Sequence, residues 1–158
     1  MNASLLIEIM TESAVNNLFN AAKKVPADKL DWKPLDTGRS VLDQLQECAM
    51  SANWSMMLLR DRAFPDLTPE MMAEYDSTRK QWTTLEQCEA ACREATAKLM
   101  DAIREFPEAD LGIKINVPFG PTHDWSIYDA MGLHAWNCTY HLGQVNYIQT
   151  LYGDKSMG

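Results

Sequence analysis

One run of residues near the end of the chain constrains its fold more than any other. Ile127, Met131, His134, Cys138, His141, Val145 and Ile148 follow one another at steps of four and three. An α-helix advances about 100° per residue, so these positions form one continuous stripe. A stripe spanning about six turns cannot be covered by its own helix and needs several partner helices packed against it. The helix is expected to open near Ser126, with Asp129 three residues on, and to run to about Tyr152. Gly153 supplies the stop.

The partners are visible upstream. A first helix is expected over Ala3 to Val25, with Leu6, Ile9, Met10, Ala14, Leu18 and Ala21 at helical spacing and Pro26 at its end. Ala27 to Arg39, with Pro34 and Gly38, reads as a loop. A second helix starts at Ser40, whose hydroxyl and the acid Asp43 resemble a capping pair. It carries one stripe of Val41, Leu45, Cys48, Ala52 and Met56, and another of Met50, Trp54 and Leu58. A helix apolar on two sides is covered on two sides. It closes over Arg60 to Pro65. Thr68-Pro69 marks a short helix within Asp66 to Trp82. A third long helix opens with the capping box Thr83-x-x-Glu86 and continues through Leu85, Cys88, Ala91, Cys92, Ala95, Leu99, Ala102 and Ile103 to about Phe106. Glu108 to Asp124 alternates at Ile113, Ile115 and Val117, but with no second strand in view it reads as loop. The expectation is an all-α chain, a four-helix bundle forming one domain over residues 1–158.

Charge narrows the partners. The chain has 14 Lys+Arg against 22 Asp+Glu, a formal net charge of -8. Nucleic acids and anionic membranes call for a basic footprint, so neither is expected as a partner. Met1 to Met10 has no basic start and contains Glu8, unlike a signal peptide. No apolar run approaches the roughly 20 residues that span a bilayer. A cytoplasmic location is expected, where Cys48, Cys88, Cys92 and Cys138 would stay reduced. Cys88 and Cys92 share a helix face and read either as buried small residues or as half of a metal or redox site.

Chemistry concentrates on two helices. His134 and His141 lie in the apolar seam of the last helix, and Asn137 points to nearly the same side. Imidazoles in a seam need partners, either core hydrogen bonds or a metal ion held by their ring nitrogens. Glu47 shares its side of the second helix with Met50, Trp54 and Leu58. A carboxylate there is either at the edge of the packed helices or paired with a cation or strong donors. His123 sits in the loop before the last helix, exposed or at the mouth of a pocket.

The run Tyr140-His141-Leu142-Gly143-Gln144, with Tyr147-Ile148 and Tyr152-Gly153, resembles the last-helix signature of DinB/YfiT-like proteins. Arg39-Ser40-Val41 leading into Leu45-Gln46-Glu47-Cys48-Ala49 resembles their second-helix motif. The resemblance spans nearly the whole chain in helix order. It implies a four-helix bundle of down-up-up-down type and a divalent metal held by one side chain of the second helix and two of the last. Carried over, His141 matches the last ligand. Asn137 stands where the family usually has His or an acid, and Glu47 where it usually has His. His134, one turn before Asn137, is the alternative third ligand or a supporting group. Mixed oxygen and nitrogen donors suit Zn, Ni, Mn or Fe ions.

Three functions are compatible with this pattern. The first is a metal-dependent enzyme of the hydrolase or thiol-dependent transferase type, acting on a small molecule. The second is a non-catalytic small-molecule binder with a degenerate metal site. The third is a dimerisation domain with the aromatic last helix as its interface. A homodimer is expected, since similar proteins are often dimeric and ten methionines and five tryptophans leave apolar surface to cover.

Overall fold

A computed structural model describes residues 3–118 and 124–155. Among them the chain forms α1 (Ala3–Ala22), α2 (Val41–Asp61), α3 (Pro69–Arg79), α4 (Leu85–Arg104), the strands β1 (Lys114–Asn116) and β2 (Asp124–Ser126), and α5 (Ile127–Leu151). The architecture is mostly helical, as the spacing requires. His123 lies outside the described residues. No helix among the described residues is long and apolar enough to cross a membrane.

Local chemistry sets most helix starts. Ser40 Oγ accepts from the Asp43 amide at 3.2 Å, capping α2. Thr68 Oγ1 accepts from the Met71 amide at 3.2 Å, with Pro69 first in α3. Ser126 and Asp129 cap α5 reciprocally: Ser126 Oγ accepts from the Asp129 amide at 3.2 Å, and Asp129 Oδ2 from the Ser126 amide at 2.7 Å. The box of α4 falls one residue later than Thr83-x-x-Glu86. Thr84 is the cap and Gln87 its partner, because Gln87 Oε1 accepts from the amides of both Thr83, at 2.7 Å, and Thr84, at 3.2 Å. Glu86 is left exposed. Gly153 ends α5 with φ of 100°, a conformation that favours glycine.

The segment read as loop around Ile115 is instead half of a hairpin. β1 pairs antiparallel with β2 in the register Lys114↔Ser126, Ile115↔Trp125, Asn116↔Asp124. The partner strand is Asp124–Ser126, three residues that run directly into the cap of α5 and are too short to show alternation. Ile115 in β1 and Val117 just after it are completely buried.

α5 packs on α1 and α2, α2 also on α4, and α1 on α4. Every member of the α5 seam, from Ile127 to Ile148, is buried. α2 lies between α4 and α5, which is why it is apolar on two sides. α1 departs from the expected stripe. Leu6, Ile9 and Met10 are exposed, while Ile7, Thr11, Ala14 and Leu18 turn inward. Thr11 tolerates burial because its hydroxyl donates to the Ile7 carbonyl at 2.7 Å.

Candidate functional site

The site is built on the seam where α2 faces α5. Arg39, Asp43 and Glu47 succeed one another at four-residue steps, so they line one side of the start of α2. Arg39 Nε donates to Asp43 Oδ2 at 2.5 Å, and its Nη1 meets Glu47 Oε2 at 2.7 Å. Arg79 of α3 grips the other oxygen of Asp43 at 2.6 Å, fastening α3 over this end of α2. Burial works to raise the Asp43 pKa, but the hydrogen bonds from both arginines outweigh it and hold the group low.

Glu47 is the hub. Its Oε1 lies 3.0 Å from His141 Nε2 and accepts from Asn137 Nδ2 at 3.1 Å. The hydrogen bond with His141, followed by the charges of His141 and Arg39, holds Glu47 down at about 2 against the opposing effect of burial. The Glu47 side chain keeps 30% of its surface exposed while that of His141 keeps 1%, so the carboxylate alone faces outward.

The His141 ring is held from behind. Its Nδ1 lies 2.8 Å from Gln144 Oε1 and 3.1 Å from Gln44 Oε1. Both neighbours are acceptors, so Nδ1 carries a proton and donates. Nε2 then faces a carboxylate oxygen and takes either a proton of its own, which makes the ring an imidazolium, or a metal ion. Two acceptors facing each other require a proton or a metal ion between them.

The donor set fits a divalent ion on that ground. Glu47 Oε1 and His141 Nε2 are an oxygen and a nitrogen donor at the spacing of two ligands on one ion, and Arg39 holds Oε2 as an outer partner would. Asn137 completes the set less well. Its NH2 faces Glu47, and its Oδ1 accepts from Cys48 Sγ at 3.5 Å. Among the four residues expected as ligands, Glu47, Asn137 and His141 come together. His134 is not among their hydrogen-bond partners. Its Nδ1 lies 2.6 Å from Ser51 Oγ and its Nε2 2.8 Å from Thr96 Oγ1, deep between α2, α4 and α5.

Two hollows lie along α5. An apolar groove of about 680 Å³ is lined by Trp54, Leu58, Trp125, Leu133 and Trp136, among others. Trp136 stacks on Tyr140 with centroids 5.4 Å apart, and Tyr140 meets the His141 ring edge-on at 5.2 Å. A second hollow of about 500 Å³ is lined by Arg39, Gln44, Tyr140 and Gln144. Tyr75 of α3 packs near Trp54 at 5.7 Å, and burial, then the nearby charge of Glu47, raises its phenol to about 12.

Sequence reasoning missed the supporting residues Gln44, Arg39 and Gln144 as partners of the pair. Their signal was positional: Gln44 precedes Glu47 by one turn and Gln144 follows His141 by one turn. All four cysteines are free and buried.

No curated protein matches the chain. The family model described as DinB superfamily matches residues 10–145, a span from the first half of α1 into the last turns of α5 that contains Glu47, Asn137 and His141. The chain belongs to the DinB superfamily.

Proposed function

We propose that the chain is a divalent-metal-dependent enzyme acting on a small molecule, of the hydrolase or thiol-dependent transferase type. The observation that carries this reading is the His141 ring, donating from Nδ1 to glutamine oxygens and facing Glu47 Oε1 with Nε2 at 3.0 Å. Glu47, His141 and the amide oxygen of Asn137 would hold the ion. Such an ion supplies Lewis acidity and lowers the pKa of a bound water or thiol. Gln44 and Gln144 fix the ring, and Arg39 fixes the Glu47 carboxylate by its outer oxygen. The apolar groove along α5, lined by Trp54 and Trp136, suits the body of a small substrate.

The four long helices are read as a down-up-up-down bundle and the chain as one domain, acting in the cytoplasm without nucleic acid. A homodimer is proposed through α5, where Trp136, Tyr140 and Tyr147 are 62%, 51% and 65% exposed.

A second reading has its own support. Arg39 and Asn137 already satisfy Glu47 without an ion, which favours a non-catalytic binder with a hydrogen-bonded network in place of a metal. Elemental analysis of untagged protein prepared without chelator separates the two. The enzyme reading expects one equivalent of divalent metal that disappears in the Glu47→Gln, His141→Ala double variant. Equal metal content in the wild type and the double variant favours the binder.

A further inference from the structure

Behind the Glu47–His141 pair lies a second set of donors that it does not use. Cys92 of α4 and His134 and Cys138 of α5 bring one sulfur, one ring nitrogen and one sulfur within 4.8 Å of one another. None of the three is exposed to solvent. His134 and Cys138 are four residues apart, on one face of α5, and Cys92 meets them from the facing helix.

The ring nitrogens of His134 have separate roles. Thr96 Oγ1 donates its one proton to the Cys92 carbonyl at 2.7 Å. It therefore accepts from Nε2, 2.8 Å away, and Nε2 carries the ring proton. Nδ1 is left with a lone pair. Its neighbours are Ser51 Oγ at 2.6 Å and Cys138 Sγ at 3.8 Å. Ser51 has a single proton, which the Cys48 carbonyl also claims at 3.0 Å. A ring fixed by a hydrogen bond at one nitrogen, with the lone pair of the other between a hydroxyl and a thiol, is oriented as proteins orient an imidazole for a metal.

We propose that Cys92, His134 and Cys138 form a closed structural site for Zn²⁺ or a similar thiolate-binding divalent ion, separate from the Glu47–His141 site. Two sulfurs and an imidazole select such an ion over harder ones. As the ion enters, Cys92 and Cys138 each release a thiol proton to solvent, and the ion takes up both sulfur electron pairs. One divalent ion, two thiolates and a neutral imidazole sum to zero charge, which suits a site whose polar neighbours Ser51 and Thr96 are uncharged. One further donor stands at hand for the fourth position: Ser51 Oγ, 2.6 Å from His134 Nδ1.

Cobalt tests this, because only a thiolate site gives a sulfur-to-cobalt charge-transfer band and the Glu47, Asn137 and His141 set contains no sulfur. The full-length chain is produced in cobalt-supplemented, zinc-depleted medium and kept reduced. The band is expected in the wild type, in Cys88→Ser and in the Glu47→Gln, His141→Ala double variant. It is expected to vanish in Cys92→Ser, Cys138→Ser. Wild-type protein with four titratable thiols and no band overturns the proposal, as does a band that survives loss of both cysteines. Absence of the band in the reduced wild type overturns the proposal on its own, so a cysteine variant that fails to fold leaves the test intact. A wild type that shows the band but binds no further ion that depends on Glu47 and His141 would sink the enzyme reading and leave this site standing.

Discussion

Glu47 Oε1 and His141 Nε2 lie 3.0 Å apart, joining α2 to α5 across 94 positions of sequence. The contact makes α2 and α5 report on each other, and its first consequence is a pH dependence. The Glu47 pKa is about 2 in the folded chain, against about 4.3 for a free glutamate. A carboxylate whose folded pKa is depressed contributes stability that is fully present above its unfolded pKa. That contribution is lost as pH falls through the folded value. The window here runs from about pH 4.5 down to about 2. Urea unfolding of wild type and Glu47→Gln should show the largest gap near neutral pH and a gap that closes across this window. A gap that stays constant with pH would show that the Glu47 charge adds nothing to the fold.

A second prediction concerns the other histidine. Thr96→Val keeps the shape of a buried side chain but removes the acceptor for His134 Nε2. A buried donor left without a partner costs about 1–3 kcal/mol. The urea midpoint should fall accordingly. A midpoint within error of wild type would mean that His134 finds another acceptor.

Much of this fold was legible because it is periodic. The α5 seam, the caps at Ser40, Thr68 and Ser126, and the two-sided character of α2 all follow from local rules that burial did not override. Failures came where tertiary contacts chose between local options. Gln87 serves two orphan amides and so moves the α4 cap by one residue. β1 has no meaning without β2, eight residues away and merged with a helix cap. On α1, Thr11 is polar by type and buried by its own hydrogen bond, which hid the true inward face. The site was half legible for the same reason. Spacing identifies His134, Asn137 and His141 as neighbours on one helix. It cannot say that Ser51 and Thr96 draw one histidine away while Gln44 and Glu47 hold the other.

The junction between hairpin and α5 gives a third prediction. Ser126 ends β2 and caps α5, so Ser126→Ala removes the Asp129 amide's acceptor and loosens both elements. Loss of such a cap costs about 1 kcal/mol. Hydrogen exchange should quicken at the first amides of α5. Unchanged protection there would show that the strand pairing alone holds the helix start.

Association gives a fourth. Tyr147 is 65% exposed on α5, in the face proposed to meet a second copy. Sedimentation should find a dimer for the wild type at high micromolar concentration and a monomer for Tyr147→Arg. A monomeric wild type at that concentration would contradict the proposed interface.

The metal claim is tested most directly by thermal melting with Mn²⁺, an ion that prefers oxygen and nitrogen donors and is poorly served by the buried cysteines. Mn²⁺ at a hundredfold its dissociation constant adds about 2.7 kcal/mol, or roughly 5–10 °C in Tm for a chain of this size. The wild type should show that rise, and His141→Ala should show none. A wild-type Tm that does not move with Mn²⁺, or an equal rise in His141→Ala, would contradict the assignment of a divalent ion to Glu47 and His141.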